Sequence, residues 1–149
     1  MKKLKLLALS VGLATLSFAG SASATPGFAD DGYSAHFLPP NQFFSGKITS
    51  YGDEDWFQWF NYTGSPVNLT VFLANGNGDG TPSKNFDFDF RIYSPNNTPV
   101  SPLDNGAGNI DTMSVTGLPP GYTIYWNVKG HSPNDYSSTQ EYLTWLSIN

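Results

Sequence analysis

The chain has 149 residues, of which 12 are acidic, 7 are basic and none is cysteine, and its formal net charge is −5. The absence of cysteine excludes a disulfide scaffold, a thiolate metal site and a cysteine nucleophile, and the acidic balance argues against nucleic-acid binding, which needs clustered Lys and Arg. Because aromatic residues make up 15% of the chain and charged residues only 13%, we expect a single packed domain and not a disordered chain.

The first 24 residues have the features of a secretory signal peptide. Three lysines precede an apolar stretch over residues 6–18, and Ala22 and Ala24 place small residues at the two positions that a signal peptidase reads. The apolar stretch is too short to cross about 30 Å of hydrocarbon, so we expect no membrane span. We predict cleavage after Ala24 and a secreted domain over residues 25–149, with four basic and twelve acidic residues and a net charge of −8.

After the signal peptide, the chain is predicted to form short β-strands and no helix. The clearest strand, NFDFDFRIY over residues 85–93, alternates Phe or Ile with Asp or Arg, as a half-buried strand does. In chain order, the predicted strands are residues 35–38 and 43–48, which are the weaker candidates, then 55–61, 67–74, 85–93, 113–116, 122–128 and 142–148.

Turn chemistry separates these strands, in clusters of Gly, Pro, Asn and Ser at residues 75–80, 94–99 and 118–121. About eight short strands at this spacing predict an all-β antiparallel sandwich or barrel, in which each sheet has one buried and one solvated face. Residues 25–32 are expected to be a loose lead-in unless another part of the domain ties them down.

Three segments together resemble the bacterial pre-peptidase C-terminal domain family. They are GKITSYGDEDWFQWF at residues 46–60, with its Asp-x-Asp-Trp motif, FDFDFRIYSPN at residues 86–96, and LPPGYTIYWNV at residues 118–128. The resemblance implies a jelly-roll-like β-sandwich that accompanies secreted hydrolases and helps them reach insoluble substrates. It also implies that a secreted hydrolase could act in trans with this chain, because no catalytic domain is attached in the sequence.

Carboxylates near the start of the domain are candidate calcium ligands. Asp53, Glu54 and Asp55 are consecutive acids whose mutual repulsion a hard cation with oxygen ligands would relieve. In calcium-binding members of the family that this chain resembles, an acidic N-terminal segment supplies further ligands, and here Asp30 and Asp31 lie in that segment. The predicted Ca²⁺ ligands are therefore Asp30, Asp31, Asp53 and Asp55; a solvated turn, with Asp55 capping backbone N–H groups, is the alternative.

Aromatic residues are the most suggestive feature for binding. On the strand at residues 55–61, Trp56 and Phe60 share one face while Phe57 and Trp59 share the other, so one set must be core and the other could be exposed. Exposed Trp and Tyr on a sheet form a platform for sugar rings or a protein chain. The predicted ligand-binding residues are Trp59, Tyr125 and Trp126; the alternative is that loops or the second sheet cover both faces.

Other chemical interpretations are weaker. Residues 75–80 (NGNGDG) begin like an EF-hand loop, but the twelfth position is Phe86 instead of Glu, so a flexible hairpin loop is favoured. Asp87 and Asp89 share a strand face about 7 Å apart, as glycoside hydrolysis could use, but Arg91 beside them favours an ion-pair role. The two histidines, at positions 36 and 131, form no zinc-protease motif.

Taken together, the sequence predicts a secreted, non-catalytic binding module for an extracellular polymer, either a polysaccharide or a fibrous protein, with Ca²⁺ stiffening its lead-in. A self-associating structural protein of the cell envelope or biofilm matrix is the alternative, through its edge strands. A small hydrolase ranks third.

Overall fold

The computed structural model describes residues 28–75, 84–93, 99–100 and 102–149, with residues 88–93 and 99–100 described by their backbone alone. The predicted signal peptide, most of the glycine-rich loop after Asn75 and the turn at residues 94–98 lie outside these ranges. Nine strands occur within them: β1 (His36–Phe37), β2 (Phe43–Gly46), β3 (Glu54–Phe60), β4 (Val67–Asn75), β5 (Phe86–Tyr93), β6 (Pro99–Val100), β7 (Ile110–Leu118), β8 (Thr123–Gly130) and β9 (Tyr142–Ile148).

The strands form two sheets with the topology of a jelly roll. One sheet has the order β1-β3-β8-β5-β6 and the other β2-β9-β4-β7. From β2 to β9, consecutive strands lie in different sheets in every case but β5 and β6, which is how a double Greek key is wound. The predicted all-β jelly-roll-like sandwich of about eight strands is thus confirmed. One edge departs from the antiparallel pairing of the other strands, because β1 pairs with β3 in parallel through His36 and Phe37.

Alternating side chains build the core between the sheets. On β3 the residues at odd positions, Asp55, Phe57 and Trp59, are buried, while their neighbours on the other face are partly or fully exposed. On β4 in the opposite sheet, Leu69, Val71 and Leu73 are likewise buried and alternate with less buried neighbours. Each large side chain removed from water in this way contributes about 1.5–3 kcal/mol to stability. The period of two in the sequence therefore matches the burial pattern of the strands.

The segment before β1 is tied to the sandwich. The backbone N–H of Trp56 donates to the carbonyl of Ala29 at 2.9 Å, and the ring of Phe28 stacks on that of Phe44 with centroids 5.1 Å apart. The part of the predicted loose lead-in that the structure describes, residues 28–32, is therefore anchored to the edge of β3. No helix in the described ranges has the length and apolar composition needed to cross a bilayer.

Candidate functional site

The predicted aromatic platform is wrong in two of its three residues. Trp59 and Trp126 are both 0% exposed and belong to the hydrophobic core. The ring of Trp126 stacks on Phe57 with centroids 5.5 Å apart, and its indole N–H donates to Thr144 Oγ1 at 3.1 Å in the facing sheet. The sandwich needs these large rings to fill the space between the sheets, so neither can contact a ligand.

Tyr125 lies on the opposite, outward face of β8. It is half-buried, opposite Gln58 of β3 in the antiparallel register. Tyr125 and Trp126 therefore face opposite sides of the sheet, and the platform that was predicted to contain both does not form.

An aromatic strip does occur on the outer face of the other sheet. Phe43, Trp145 and Phe72 are aligned across β2, β9 and β4. The rings of Phe72 and Trp145 are parallel within 5° at a centroid distance of 4.7 Å, and Phe43 lies 5.1 Å from Trp145. At this distance and angle the rings of Phe72 and Trp145 stack on each other. The strip therefore presents an apolar surface on the outside of the sheet.

A cleft of about 350 Å³ opens at one end of the sandwich. One wall is the turn between β2 and β3, and the other is the segment that follows β8. Two tyrosines flank it: Tyr51 is 75% exposed and Tyr136 is 44% exposed. The lining residues are Ser50, Tyr51, Gly52, Asp53, Glu54, Lys129, Gly130, His131, Ser132, Pro133, Asp135 and Tyr136.

Hydrogen bonds within each wall hold the cleft in shape. Asp53 Oδ2 accepts from the N–H and hydroxyl of Thr49 at 2.7 and 3.0 Å, which closes the first turn. Asp135 Oδ2 accepts from the N–H and hydroxyl of Ser132 at 2.9 and 2.6 Å, which closes the second. The two walls are joined where the N–H of Ser137 donates to the carbonyl of Ile48 at 2.7 Å. The cleft is therefore largely preformed, as ligand pockets usually are.

The cleft is rich in acceptors. Asp53, Glu54 and Asp135 contribute three carboxylates against one lysine, Lys129, and a histidine. Glu54 Oε2 is held by the indole N–H of Trp56 at 3.1 Å and the side-chain amide of Asn127 at 2.8 Å. Such a lining favours hydroxyl-rich or cationic ligands and repels anionic ones. The sequence does not reveal this site, because Tyr51 and Tyr136 belong to loops that have no periodicity.

Asp55, a predicted calcium ligand, is a buried carboxylate. It is 0% exposed because it occupies an inward position of β3, and the hydroxyl of Tyr142 donates to its Oδ2 at 2.5 Å. Its Oδ1 is buried and has no hydrogen-bond partner. Burial raises the pKa of Asp55 to about 7, more strongly than the Tyr142 hydrogen bond lowers it, and the charges of Asp53 and Asp30 add to the increase.

The four predicted calcium ligands are brought together only in part. Asp31 Oδ1 accepts from the N–H groups of Tyr33 and Ser34 at 2.9 and 2.8 Å, so it stabilises its own turn. In the described ranges, the carboxylates of Asp30, Asp53 and Asp55 do not form a group with ligand atoms within 4.8 Å of one another. They are near enough to raise the pKa of Asp55.

Among the other predicted candidates, the side chains of Asp87, His36 and His131 are described. Those of Asp89 and Arg91 lie outside the described residues, as do residues 76–80 of the EF-hand-like segment. The side chain of Asn75, the first residue of that segment, donates to Asp111 Oδ2 at 3.0 Å and accepts from the N–H of Phe86 at 3.2 Å. Asn75 therefore links β7 of one sheet to β5 of the other through its side chain.

The fold and the terminal cleft define this chain as a small jelly-roll sandwich with a preformed surface site. It is similar to the pre-peptidase C-terminal domain of a collagenase from Bacillus anthracis, with a TM-score of 0.52 and 14% identity over 76% of this chain and 94% of that domain. It also aligns with the periplasmic lysozyme inhibitor PliG of Aeromonas hydrophila, with a TM-score of 0.38 and 14% identity over 77% of this chain and 97% of that one. No family model and no curated protein matches the chain.

The collagenase domain bears out the resemblance drawn from sequence at the level of the fold. Its alignment extends over most of both chains, so the similarity is to a whole sandwich and not to a shared hairpin. At 14% identity it establishes architecture alone, and the function must be argued from the side chains of this chain.

Proposed function

We propose that the chain is a secreted, non-catalytic binding module that holds an extracellular polymer in the terminal cleft. The observation that carries this proposal is the cleft itself, a preformed cavity of about 350 Å³ with Tyr51 and Tyr136 at its rim. Exposed tyrosines provide large contact area at low entropic cost, together with a hydroxyl for hydrogen bonding. The rigid walls limit the entropy lost on binding.

A polysaccharide is the polymer that best fits the lining. Carboxylates such as Asp53, Glu54 and Asp135 accept hydrogen bonds from sugar hydroxyls, and a tyrosine ring can stack on a pyranose face. A fibrous protein is the second choice, since a chain with exposed lysines would be attracted by the same acids. The mature domain, at a predicted net charge of −8, would repel strongly anionic polymers.

The proposal predicts that the tyrosines control retention on an insoluble polymer. We expect Tyr51→Ala and Tyr136→Ala each to weaken retention on cellulose, chitin, peptidoglycan or collagen by about tenfold, as loss of a hot-spot ring of about 1.4 kcal/mol would. Tyr62→Ala is the matched control, because Tyr62 is 62% exposed beyond the other end of β3. A folded wild-type chain that is not retained on any of these polymers would refute the proposal.

Calcium is proposed as the ion that stabilises the lead-in. Asp55 with its unpartnered Oδ1, Asp53 and Asp30 would supply oxygen ligands, and the ion would neutralise the buried carboxylate. Since Ala29 is already hydrogen-bonded to Trp56, ordering Asp30 requires little further chain movement. Asp31, whose carboxylate serves its own turn, is the least suited of the four.

The calcium proposal predicts a stabilisation by mass action. Calcium at 100 times its Kd should raise the free energy of unfolding by about 2.7 kcal/mol, and chelation should remove that gain. Asp53→Asn should abolish the response, whereas Asp31→Asn should leave most of it. Identical melting curves with EDTA and with excess Ca²⁺ would refute the calcium proposal and would leave the proposal of polymer binding in the cleft unaffected.

Self-association is a second candidate, and the aromatic strip favours it. Phe43 is 60% exposed on β2, which is an edge strand, and exposed apolar residues at a sheet edge promote pairing between copies. Oligomers that grow with concentration in light scattering, and are lost in Phe43→Ser, would support this function over polymer binding.

A further inference from the structure

We propose that Asp87, Asp104 and His131 form a binding site for a divalent transition-metal ion of the zinc type, separate from the proposed calcium site. The three residues come from different parts of the chain: the start of β5, the loop before β7 and the residue after β8. In the described ranges, they are the one group of three His, Asp or Glu residues whose potential ligand atoms all lie within 4.8 Å of one another.

The distances fit a tetrahedral ion. His131 Nδ1 lies 3.3 Å from Asp87 Oδ2 and 3.4 Å from Asp104 Oδ2. Two ligands on a tetrahedral Zn²⁺, each at about 2.0–2.1 Å, are about 3.3–3.4 Å apart. His131 thus lies at a ligand-to-ligand distance from each aspartate, and the ligand atoms of the two aspartates lie within 4.8 Å of each other.

Each ligand is positioned by contacts of its own. Asp104 Oδ1 accepts from the N–H of Gly106 at 2.7 Å, which turns Oδ2 toward the histidine. The N–H of His131 donates to the carbonyl of Asn85 at 3.0 Å, which fixes the histidine beside the start of β5. Asp87 is held by the pairing of β5 with β8. A site whose ligands are oriented in advance loses less entropy when the ion binds.

The surrounding charge favours a cation. Asp111 is 0% exposed and is held by Asn75 and the N–H of Asn105. Burial raises its pKa, as do the nearby charges of Asp104 and Asp87. Lys129, opposite Asp87 in the register of β5 and β8, contributes one positive charge next to this group. The two carboxylate ligands and the nearby carboxyl of Asp111 therefore make this region attractive to a bound cation.

The donor set selects among metals. An imidazole nitrogen with two carboxylate oxygens suits Zn²⁺ and other first-row transition metals, whereas Ca²⁺ prefers six to eight oxygen ligands. Three protein ligands also leave a fourth position for water or for an atom of a bound molecule. The competing explanation is that His131 pairs with the two aspartates without any ion between them.

The site adjoins the cleft through His131, which also lines that cavity. Gly130 beside it cannot carry a side chain, because a Cβ there would lie 2.4 Å from the carbonyl oxygen of Asp135. A metal on His131 would therefore fasten the wall formed by residues 130–136 to β5 and to the loop at Asp104. We expect the ion to stiffen one wall of the cleft.

Calorimetric titration of the chelator-treated chain with ZnCl₂, in the presence of saturating Ca²⁺, tests the proposal. We expect one Zn²⁺ per chain, at least tenfold weaker binding in Asp104→Asn and in His131→Gln, and unchanged Zn²⁺ binding in Asp30→Asn. Because Asp104 is on a surface loop, its variant remains informative if His131→Gln fails to fold. Co²⁺ should give the intense visible absorption of a tetrahedral site in the wild type only.

Two results would overturn the proposal: no Zn²⁺ binding by the folded chain, or binding that neither Asp104→Asn nor His131→Gln weakens. Either result would leave the polymer proposal intact, because retention that depends on Tyr51 and Tyr136 is measured separately. If zinc binds as expected and retention is absent, only the polymer proposal fails.

Discussion

Asp55 illustrates what one residue position can and cannot reveal. The Asp-x-Asp-Trp motif predicts a carboxylate near a cation, and the alternation along DWFQWF puts Asp55 on the same face as Phe57 and Trp59. Its burial could therefore have been predicted from parity once Trp59 was assigned to the core. The partner of its Oδ2, Tyr142, could not, since 87 residues separate the two.

The raised pKa of Asp55 predicts that stability falls with rising pH in the metal-free chain. The folded state keeps its proton until about pH 7, while the unfolded carboxyl loses it near pH 4. The contribution of Asp55 to the free energy of unfolding is thus greatest below about pH 4. It declines as the pH rises through 7, by about 4 kcal/mol at most. We expect Asp55→Asn to abolish that decline.

Urea unfolding in EDTA between pH 4.5 and 8.5 measures this effect. The difference between the wild type and Asp55→Asn isolates it from other groups with raised pKa values, such as Asp111. Parallel stability curves for the two proteins across this range would contradict the assignment.

The tryptophans show a limit at the same scale. The alternation in sequence correctly placed Phe57 and Trp59 on one face of the strand and Trp56 and Phe60 on the other. Because both faces carry aromatic rings, hydrophobicity alone could not decide which face points into the core. The facing sheet decides, because Thr144 accepts the Trp126 indole N–H and the core closes around these rings. The exposed aromatic residues consequently lie elsewhere.

At the scale of elements, the long strands were predictable, and the two weaker candidates at residues 35–38 and 43–48 also correspond to β1 and β2. The predicted strand at residues 67–74 matches β4 (Val67–Asn75), and that at residues 142–148 matches β9, because both alternate regularly. β6, with two residues, is too short to show a period and was not predicted. Residues 113–116 were predicted too short, since Gly117 and Asp111 weaken the pattern of β7.

One packing contact between β2 and β9 gives a prediction at this scale. A Cβ on Gly46 would lie 2.5 Å from Tyr142 Oη and 2.9 Å from Phe44 Cε1. Gly46→Ala should therefore displace the tyrosine from Asp55 and cost about 2–4 kcal/mol, from overpacking and a lost buried hydrogen bond. Thermal or urea denaturation measures the loss.

Tyr142→Phe provides the internal control. In that background the hydroxyl is already absent, so Gly46→Ala should cost less than in the wild type, and a double-mutant cycle should show coupling. A cost below about 0.5 kcal/mol for Gly46→Ala alone would show that the strands adjust freely.

At the scale of the whole molecule, the class of fold followed from alternation and turn spacing, while the location of the cleft did not. The cleft arises where the turn at residues 49–53 meets the segment after β8, and that juxtaposition depends on the winding of the jelly roll. The zinc-type group has the same origin, since its members are 17 and 27 residues apart in sequence. A sequence motif cannot report such a group.

The winding also has a consequence for when the chain can fold. β9 (Tyr142–Ile148) pairs with β2 on one side and β4 on the other, so the second sheet has a gap at its centre until residues 142–148 are present. A nascent chain that stops short of this strand cannot bury Leu69, Val71 or Leu73 fully. Completion of the second sheet, and with it the closure of the core, therefore has to wait for the last strand of the chain.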